Sequence, residues 1–171
     1  MELSYDSYIS PVGNIHIVAD EAGIREISIA SAKSEEKNKV YAQMQKGSRI
    51  CSEAAKQLQE YFTGKRREFD LPLTLEGTDF CKKVWKELLK IPFGETRSYS
   101  DIASAVGSPK GFRAIGQANR RNPIAIVVPC HRVLGKNGSM TGYMGNKINI
   151  KQMLLQLESN PPHYPAMPNS S

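Results

Sequence analysis

The chain has few of the residues from which disulfide frameworks and metal centres are built. Its three cysteines, Cys51, Cys81 and Cys130, are an odd number without CxxC spacing, which argues against both a disulfide scaffold and a zinc knuckle. The three histidines, His16, His131 and His163, are too scattered to suggest a metal cluster, and no metal or other cofactor is expected. No apolar run approaches the length that spans a bilayer. The amino terminus from Met1 to Ile17 is interrupted by Glu2, Asp6 and Pro11 and does not read as a signal peptide, so a soluble, cytoplasmic or otherwise intracellular protein without a membrane partner is expected.

A further scarcity is local. Formal net charge is only +6, from 23 Lys and Arg against 17 Asp and Glu, yet no acidic residue lies between Asp101 and Glu158. Lys110, Arg113, Arg120, Arg121, Arg132, Lys136, Lys147 and Lys151 all fall in that interval, which therefore carries +8 while the rest of the chain carries −2. Segregation on this scale is the footprint of a polyanionic partner such as nucleic acid, with a merely solvated basic face as the plain alternative.

At 171 residues and 40% hydrophobic the chain can bury a real core, as one domain or two small ones. From Leu3 to about Ala30, alternating apolar residues broken at Pro11-Val12-Gly13-Asn14 and Asp20-Glu21-Ala22-Gly23 predict three short strands of a meander. After the polar stretch Ser31 to Lys46, Ile50, Ala54, Leu58 and Tyr61 share a face of a helix from about Arg49 to Phe62, with Gly64 as its stop. An extended connector, Lys65 to Glu76, marks the domain boundary.

The second part is more helical, so the fold class is α+β: a small antiparallel sheet with a helix, then a mainly helical domain. Thr78 caps a helix whose apolar stripe is Phe80, Val84, Leu88 and Leu89, flanked by Trp85 and ended by Ile91-Pro92-Phe93-Gly94. Ser98 and Asp101 have capping-box spacing before Ile102, Ala103 and Val106. Ser108 caps a further helix with Pro109 at its first position, running to about Arg120. Two short helices around a Gly-Ser-Pro turn make a helix-turn-helix candidate. Gly111, Ala114, Gly116 and Ala118 keep the second helix thin, and each glycine costs roughly 1 kcal/mol in a helix, so close approach to a partner or tight packing inside the domain must compensate. Beside Lys110, Arg113 and Arg120, small residues suit a shallow position against a groove and its phosphates.

The run Ile124-Ala125-Ile126-Val127-Val128, closed by Pro129, predicts a fully buried strand. It delivers Cys130 and His131 to a sheet margin, where apolar walls exclude water and His131 and Arg132 supply positive potential that favours a thiolate nucleophile. The plain alternative is a buried structural cysteine. Cys51 and Cys81 fall in helical patterns and are expected to be core residues.

The series Thr78-Asp79-Phe80, Val84-Trp85, Ile91-Pro92-Phe93-Gly94, Ser98-Tyr99, Arg113-Ala114-Ile115-Gly116, Asn122-Pro123, Pro129-Cys130-His131-Arg132-Val133 and Gly142-Tyr143 resembles the O6-alkylguanine-DNA alkyltransferases over about Tyr61 to Glu158. The resemblance implies a ribonuclease-H-like domain over residues 1–75 and a DNA-binding and alkyl-acceptor domain over 76–160, while the tail over 161–171, rich in proline and small polar residues, matches nothing in the family and is expected to be flexible. It implies that a monomer binds duplex DNA through the minor groove, flips out O6-alkylguanine, and also O4-alkylthymine, and moves the alkyl group irreversibly onto Cys130. By the same correspondence His131 is the base for Cys130 through a water molecule, Glu158 orients His131, and Tyr99 donates to the guanine ring and crowds the adjoining phosphate. Arg113 fills the stack after flipping, and Ala114, Gly116, Lys110 and Arg120 accompany it on DNA. Asn122 is the hinge between the DNA-binding helix and the reactive segment. Val133, Tyr143, Met144, Met140 and Asn119 line the guanine pocket.

Two departures stand out. The usual Gly-Tyr-x-Gly-Gly is here Gly142-Tyr143-Met144-Gly145-Asn146, and one extra residue precedes Lys151, so the loop over the pocket and the range of alkyl groups are expected to differ. Phe112 stands where a small residue is common, either facing inward or altering the groove contact. The sequence shows no second cysteine-rich module for phosphotriester repair, so a stand-alone repair protein is expected. Competing readings are a non-catalytic lesion binder, which would lack the cysteine, and a cysteine hydrolase or thiol redox protein, which would not need the basic small-residue helix.

Overall fold

Alternating apolar residues place Ile15, Ile17 and Ala19 on one side of a sheet and leave the opposite side to Tyr5 and His16. Strands β1 (Ser4–Ser10), β2 (Gly13–Ala19) and β3 (Ile24–Ile29) pair antiparallel in sequence order, as the meander predicts. The computed structural model describes residues 2–30, 34–108, 111–135 and 148–161. They fall into two compact units, one ending at Leu75 and the other spanning Glu76–Asn160.

In the first unit a fourth strand, β4 (Gln45–Lys46), joins the far edge of β1 in parallel, giving the order β3-β2-β1-β4. Its two residues are too few to carry an alternation signal. Before it the polar stretch forms helix α1 (Ser34–Tyr41), which delivers Tyr41 onto the ring of Tyr5, with centroids 4.6 Å apart. Helix α2 (Arg49–Phe62) starts at the Ser48 cap, and Cys51, Ala54, Leu58 and Tyr61 are buried along it, with Cys51 Sγ 3.9 Å from the Ile17 carbonyl oxygen. The connector reaches back to the β3 edge, where Ile24 donates to Pro72 O and Thr74 donates to Ile24 O. At Gly23 an added Cβ would lie 2.7 Å from Pro72 O, so only glycine lets the two segments approach.

The second unit begins with Thr78 capping helix α3 (Asp79–Leu88). The buried stripe is Cys81, Val84, Trp85 and Leu88, rotated from the predicted one: Phe80 is half-buried and Leu89 exposed. Trp85 takes the central position, and its indole N–H donates to Ala118 O at 2.9 Å, tying α3 to the helix that carries Ala118. Strand β5 (Arg97–Ser98) leads directly into helix α4 (Tyr99–Ala105), whose capping box Ser98–Asp101 is present in both directions. Helix α5 (Phe112–Arg120) packs on α3 and α4, and α4 and α5 form the helix-turn-helix. Its cap is Gly111, without a side-chain hydrogen bond, and residues 109–110 lie outside the described segments, so the predicted Ser108–Pro109 start is replaced by one three residues later.

The run Ile124 to Val128 departs most from expectation. It is fully buried but is not a strand: Val127 N bonds to Ala125 O and Val128 N to Ile124 O, folding the chain back on itself. Ile126 sits at φ +73°, a conformation that a β-branched side chain adopts only under strain. Apolar composition reported the burial correctly, and the backbone demand was met locally rather than by a neighbouring strand. A 3₁₀ turn (Cys130–Arg132), strand β6 (Val133–Leu134) and helix α6 (Ile148–Ser159) complete the unit.

Candidate active site

Three pieces of backbone converge on Cys130. The parallel pairing of β5 with β6, Arg97 to Val133 and Ser98 to Leu134, brings Tyr99, the residue after β5, beside the 3₁₀ turn that precedes β6. From α5, the buried Asn119 donates its amide to Cys130 O at 3.1 Å. Beyond α5, Asn122 clamps the tight loop: its amide donates to Val128 O at 2.8 Å and its carbonyl oxygen accepts from Ile124 N at 3.0 Å. Asn122 thus makes the described contacts with the strained loop and not with the thiol.

Helix α6 supplies the charged side of the site. Lys151, Leu154 and Glu158 recur at i, i+3 and i+7, so all three fall on one buried face. The Glu158 carboxylate receives His131 Nε2 at 2.6 Å, Arg132 Nε at 2.7 Å and Arg132 Nη2 at 2.9 Å, and Arg132 Nη1 donates to Ile91 O at 2.7 Å. Burial opposes ionisation of Glu158, but the hydrogen bonds from His131 and Arg132 outweigh it and hold the carboxyl far below the usual carboxylate range. An ionised carboxylate only accepts, so the proton of His131 sits on Nε2. His131 is fully buried, and desolvation keeps its pKa below the ordinary value despite Glu158, leaving a neutral imidazole at pH 7. Its Nδ1 is a buried lone pair with no hydrogen-bond partner among the described residues.

These partnerships correct one expectation. The positive potential expected at Cys130 from His131 and Arg132 is not available, because the first is neutral and the second is neutralised by Glu158 in a bidentate pair. Lys151 takes that role, a residue the sequence reading counted only as part of a basic stretch. Its Nζ donates to Val133 O at 2.7 Å. Desolvation lowers its pKa to about 8, opposed by attraction to the Cys130 sulfur. The one sequence signal was its i, i+3, i+7 spacing with Leu154 and Glu158, which does not say which way the shared face turns.

Tyr99 is nearly buried, and burial raises its pKa, with Asn119 and Arg120 opposing and Cys130 reinforcing the shift. Its hydroxyl therefore stays protonated as a donor. Val133 is buried directly after the turn. The exposed edge of α5 carries Phe112, Arg113, Gln117 and Arg120, with Ala114 and Gly116 partly exposed, while Ile115, Ala118 and Asn119 face the interior. Of the eight basic residues between Asp101 and Glu158, Arg132 and Lys151 are interior and Arg113, Arg120 and Arg121 are exposed. Lys110, Lys136, Lys147, Met140, Tyr143 and Met144 lie outside the described residues. Among those described, no group of His, Cys, Asp and Glu is placed to hold a metal ion, and no helix is long and apolar enough to cross a membrane.

A buried thiol beside a neutral, carboxylate-held histidine, on a domain that also carries a helix-turn-helix, defines a cysteine-nucleophile protein of the nucleic-acid-directed kind. Residues 79–160 match the family model of the 6-O-methylguanine DNA methyltransferase DNA-binding domain and residues 3–75 that of its ribonuclease-like domain; the chain belongs to this family. The methylated-DNA--protein-cysteine methyltransferase of Methanosarcina barkeri is 46% identical over 91% of this chain and 97% of its own length. The constitutive enzyme of that name from Bacillus subtilis is 48% identical over 90% and 94%. A crystal structure of the Mycobacterium tuberculosis protein in complex with DNA superposes with a TM-score of 0.81 at 43% identity, covering 91% of this chain and 92% of the other.

Proposed function

We propose that this protein repairs alkylated DNA by moving an alkyl group from O6 of a flipped-out guanine, and also from O4 of thymine, onto its own Cys130, once per molecule. The observation that carries the reading is the polarised relay Glu158–His131, ending in a buried Nδ1 without a partner among the described residues, one residue from the buried thiol.

The chemistry follows from the groups present. The thiol proton passes through a water molecule to His131 Nδ1, while the ionised Glu158 stabilises the imidazolium that forms. Lys151 favours the resulting thiolate electrostatically. The sulfur attacks the saturated carbon on O6 in line, a C–S bond forms as the C–O bond breaks, and the electron pair leaves with guanine, which Tyr99 meets as a hydrogen-bond donor. A thioether has no easy hydrolytic exit, so the reaction stops after one transfer.

Asn119 and Asn122 act as positioning residues that fix the Cys130 backbone and the loop before it. Val133, with Tyr143, Met144 and Met140, completes the guanine pocket. Lys110, Arg113, Ala114, Gly116 and Arg120 bind the DNA as a monomer from the minor groove, with Arg113 entering the stack to offset part of an unstacking cost of a few kcal/mol. The work is done in whichever compartment holds the DNA.

Incubation with excess duplex carrying a labelled O6-methylguanine tests this directly. Label should appear on protein up to one methyl per chain and then stop. Continued release of labelled methanol, with guanine restored in the duplex and no labelled protein, would assign a hydrolase instead, and binding without label a non-catalytic lesion reader.

A further inference from the structure

Among the described residues, Phe112 is the one exposed large aromatic: it opens α5 with 61% of its surface in solvent. Nothing in the unit's core calls for an aromatic ring there, since α5 buries Ile115, Ala118 and Asn119 on its other side. Its surroundings are specific. Arg113 follows it, and Arg120 lies further along the same exposed edge. Gly116, one turn on, has no atom beyond its chain neighbours and its own helix backbone within 4 Å of where a Cβ would stand, so a partner can lie flat against the helix just beside the ring. Gly111 before it brings no side chain to cap the helix start.

We infer that Phe112 is a second stack-entering side chain, which wedges its ring into the base step beside the one opened by Arg113 when α5 lies on duplex DNA. The inference rests on the function proposed above and adds to it a residue that makes its binding partly independent of charge. Exposed cations with no acidic residue between Asp101 and Glu158 supply the complementarity to a polyanion. A ring among them offers a π-face that phosphates cannot use but bases can, and apolar wedges of this kind unstack and kink duplexes from the minor groove.

Wild type, Phe112→Ala and Phe112→Trp are compared on an O6-methylguanine duplex with 2-aminopurine beside the lesion, and on free O6-methylguanine base. Phe112→Ala should lower duplex affinity and transfer rate by roughly ten- to a hundredfold and abolish most of the 2-aminopurine brightening, with Phe112→Trp restoring both. The salt dependence of binding should keep its slope, because no phosphate contact is lost, and reaction with the free base should persist. Equal losses on duplex and free base would make Phe112 a structural residue and overturn the inference. So would wild-type behaviour of Phe112→Ala on both, or a wild-type dimer that becomes monomeric in Phe112→Ala, which would assign the ring to a second copy of the chain. Failure of the wild type itself to become alkylated by either substrate would instead remove the underlying function.

Discussion

Lys151→Met separates the chemistry of the site from its stability. The methionine keeps most of the volume of a fully buried side chain and removes its charge. Depression of the Lys151 pKa from 10.5 to about 8 corresponds to about 3 kcal/mol of unfavourable charge burial at neutral pH. Against this stands the hydrogen bond to Val133 O, worth about 1 kcal/mol, and the carbonyl it leaves unpaired. A net stabilisation of about 1–2 kcal/mol at pH 7 is expected, read as a higher urea midpoint by Trp85 fluorescence. Because the folded lysine releases its proton near pH 8 and the unfolded one near 10.5, wild-type stability climbs across that window and the advantage of the variant shrinks with it. Transfer from free O6-methylguanine to Cys130 should meanwhile slow by roughly tenfold at pH 7, the equivalent of about 1.4 kcal/mol of lost attraction between ammonium and thiolate. A variant that is less stable at pH 7, or one that reacts as fast as wild type, would refute the assignment of Lys151 as the cation serving the thiolate.

Glu158→Gln should leave the Arg132 guanidinium buried without its counter-ion, costing about 3–5 kcal/mol in urea unfolding, and should slow alkyl transfer by roughly 10²- to 10³-fold in stopped assays of labelled protein. His131 and Glu158 both titrate below their unfolded values, so the stability they confer is present above those values and drains away as pH falls. The urea midpoint should fall first through His131 as pH drops below about 6.5 and then through Glu158 below about 4.5, and Glu158→Gln should lose only the second part. Asn122→Ala removes two hydrogen bonds from the loop that holds Ile126 at positive φ, and should cost about 2–3 kcal/mol while slowing transfer to duplex and free base alike. Arg113→Ala should do the opposite, repairing duplex far more poorly than it reacts with free alkylated guanine; equal losses on both substrates would remove Arg113 from base flipping.

Local signals carried much of the fold. The Thr78 cap, the Ser98–Asp101 capping box and the alternation of β1 to β3 are interactions within a few residues, and each of these elements formed where its own sequence specified. The segment 124–128 shows where such reading ends, since apolar composition encodes burial but not which hydrogen bonds satisfy the buried backbone. A side-chain amide at Asn122 closed a turn where a strand was expected. The site was legible at Cys130 and His131 because they adjoin, and at Glu158 through family resemblance. Lys151 was missed because its charge suggested solvent, and only the folding of α6 against β6 reveals a lysine turned inward onto a carbonyl. Arg132 was misjudged for the same reason, its partner lying 26 residues away in sequence.

Peptide mapping after reaction with one equivalent of O6-methylguanine duplex reports on the central claim without intermediaries. The account predicts a single methyl group on the peptide containing Cys130, with the buried Cys51 and Cys81 peptides unchanged. A folded protein that consumes the lesion while its Cys130 peptide keeps the unmodified mass, or that carries the methyl group on Cys51 or Cys81, would contradict it.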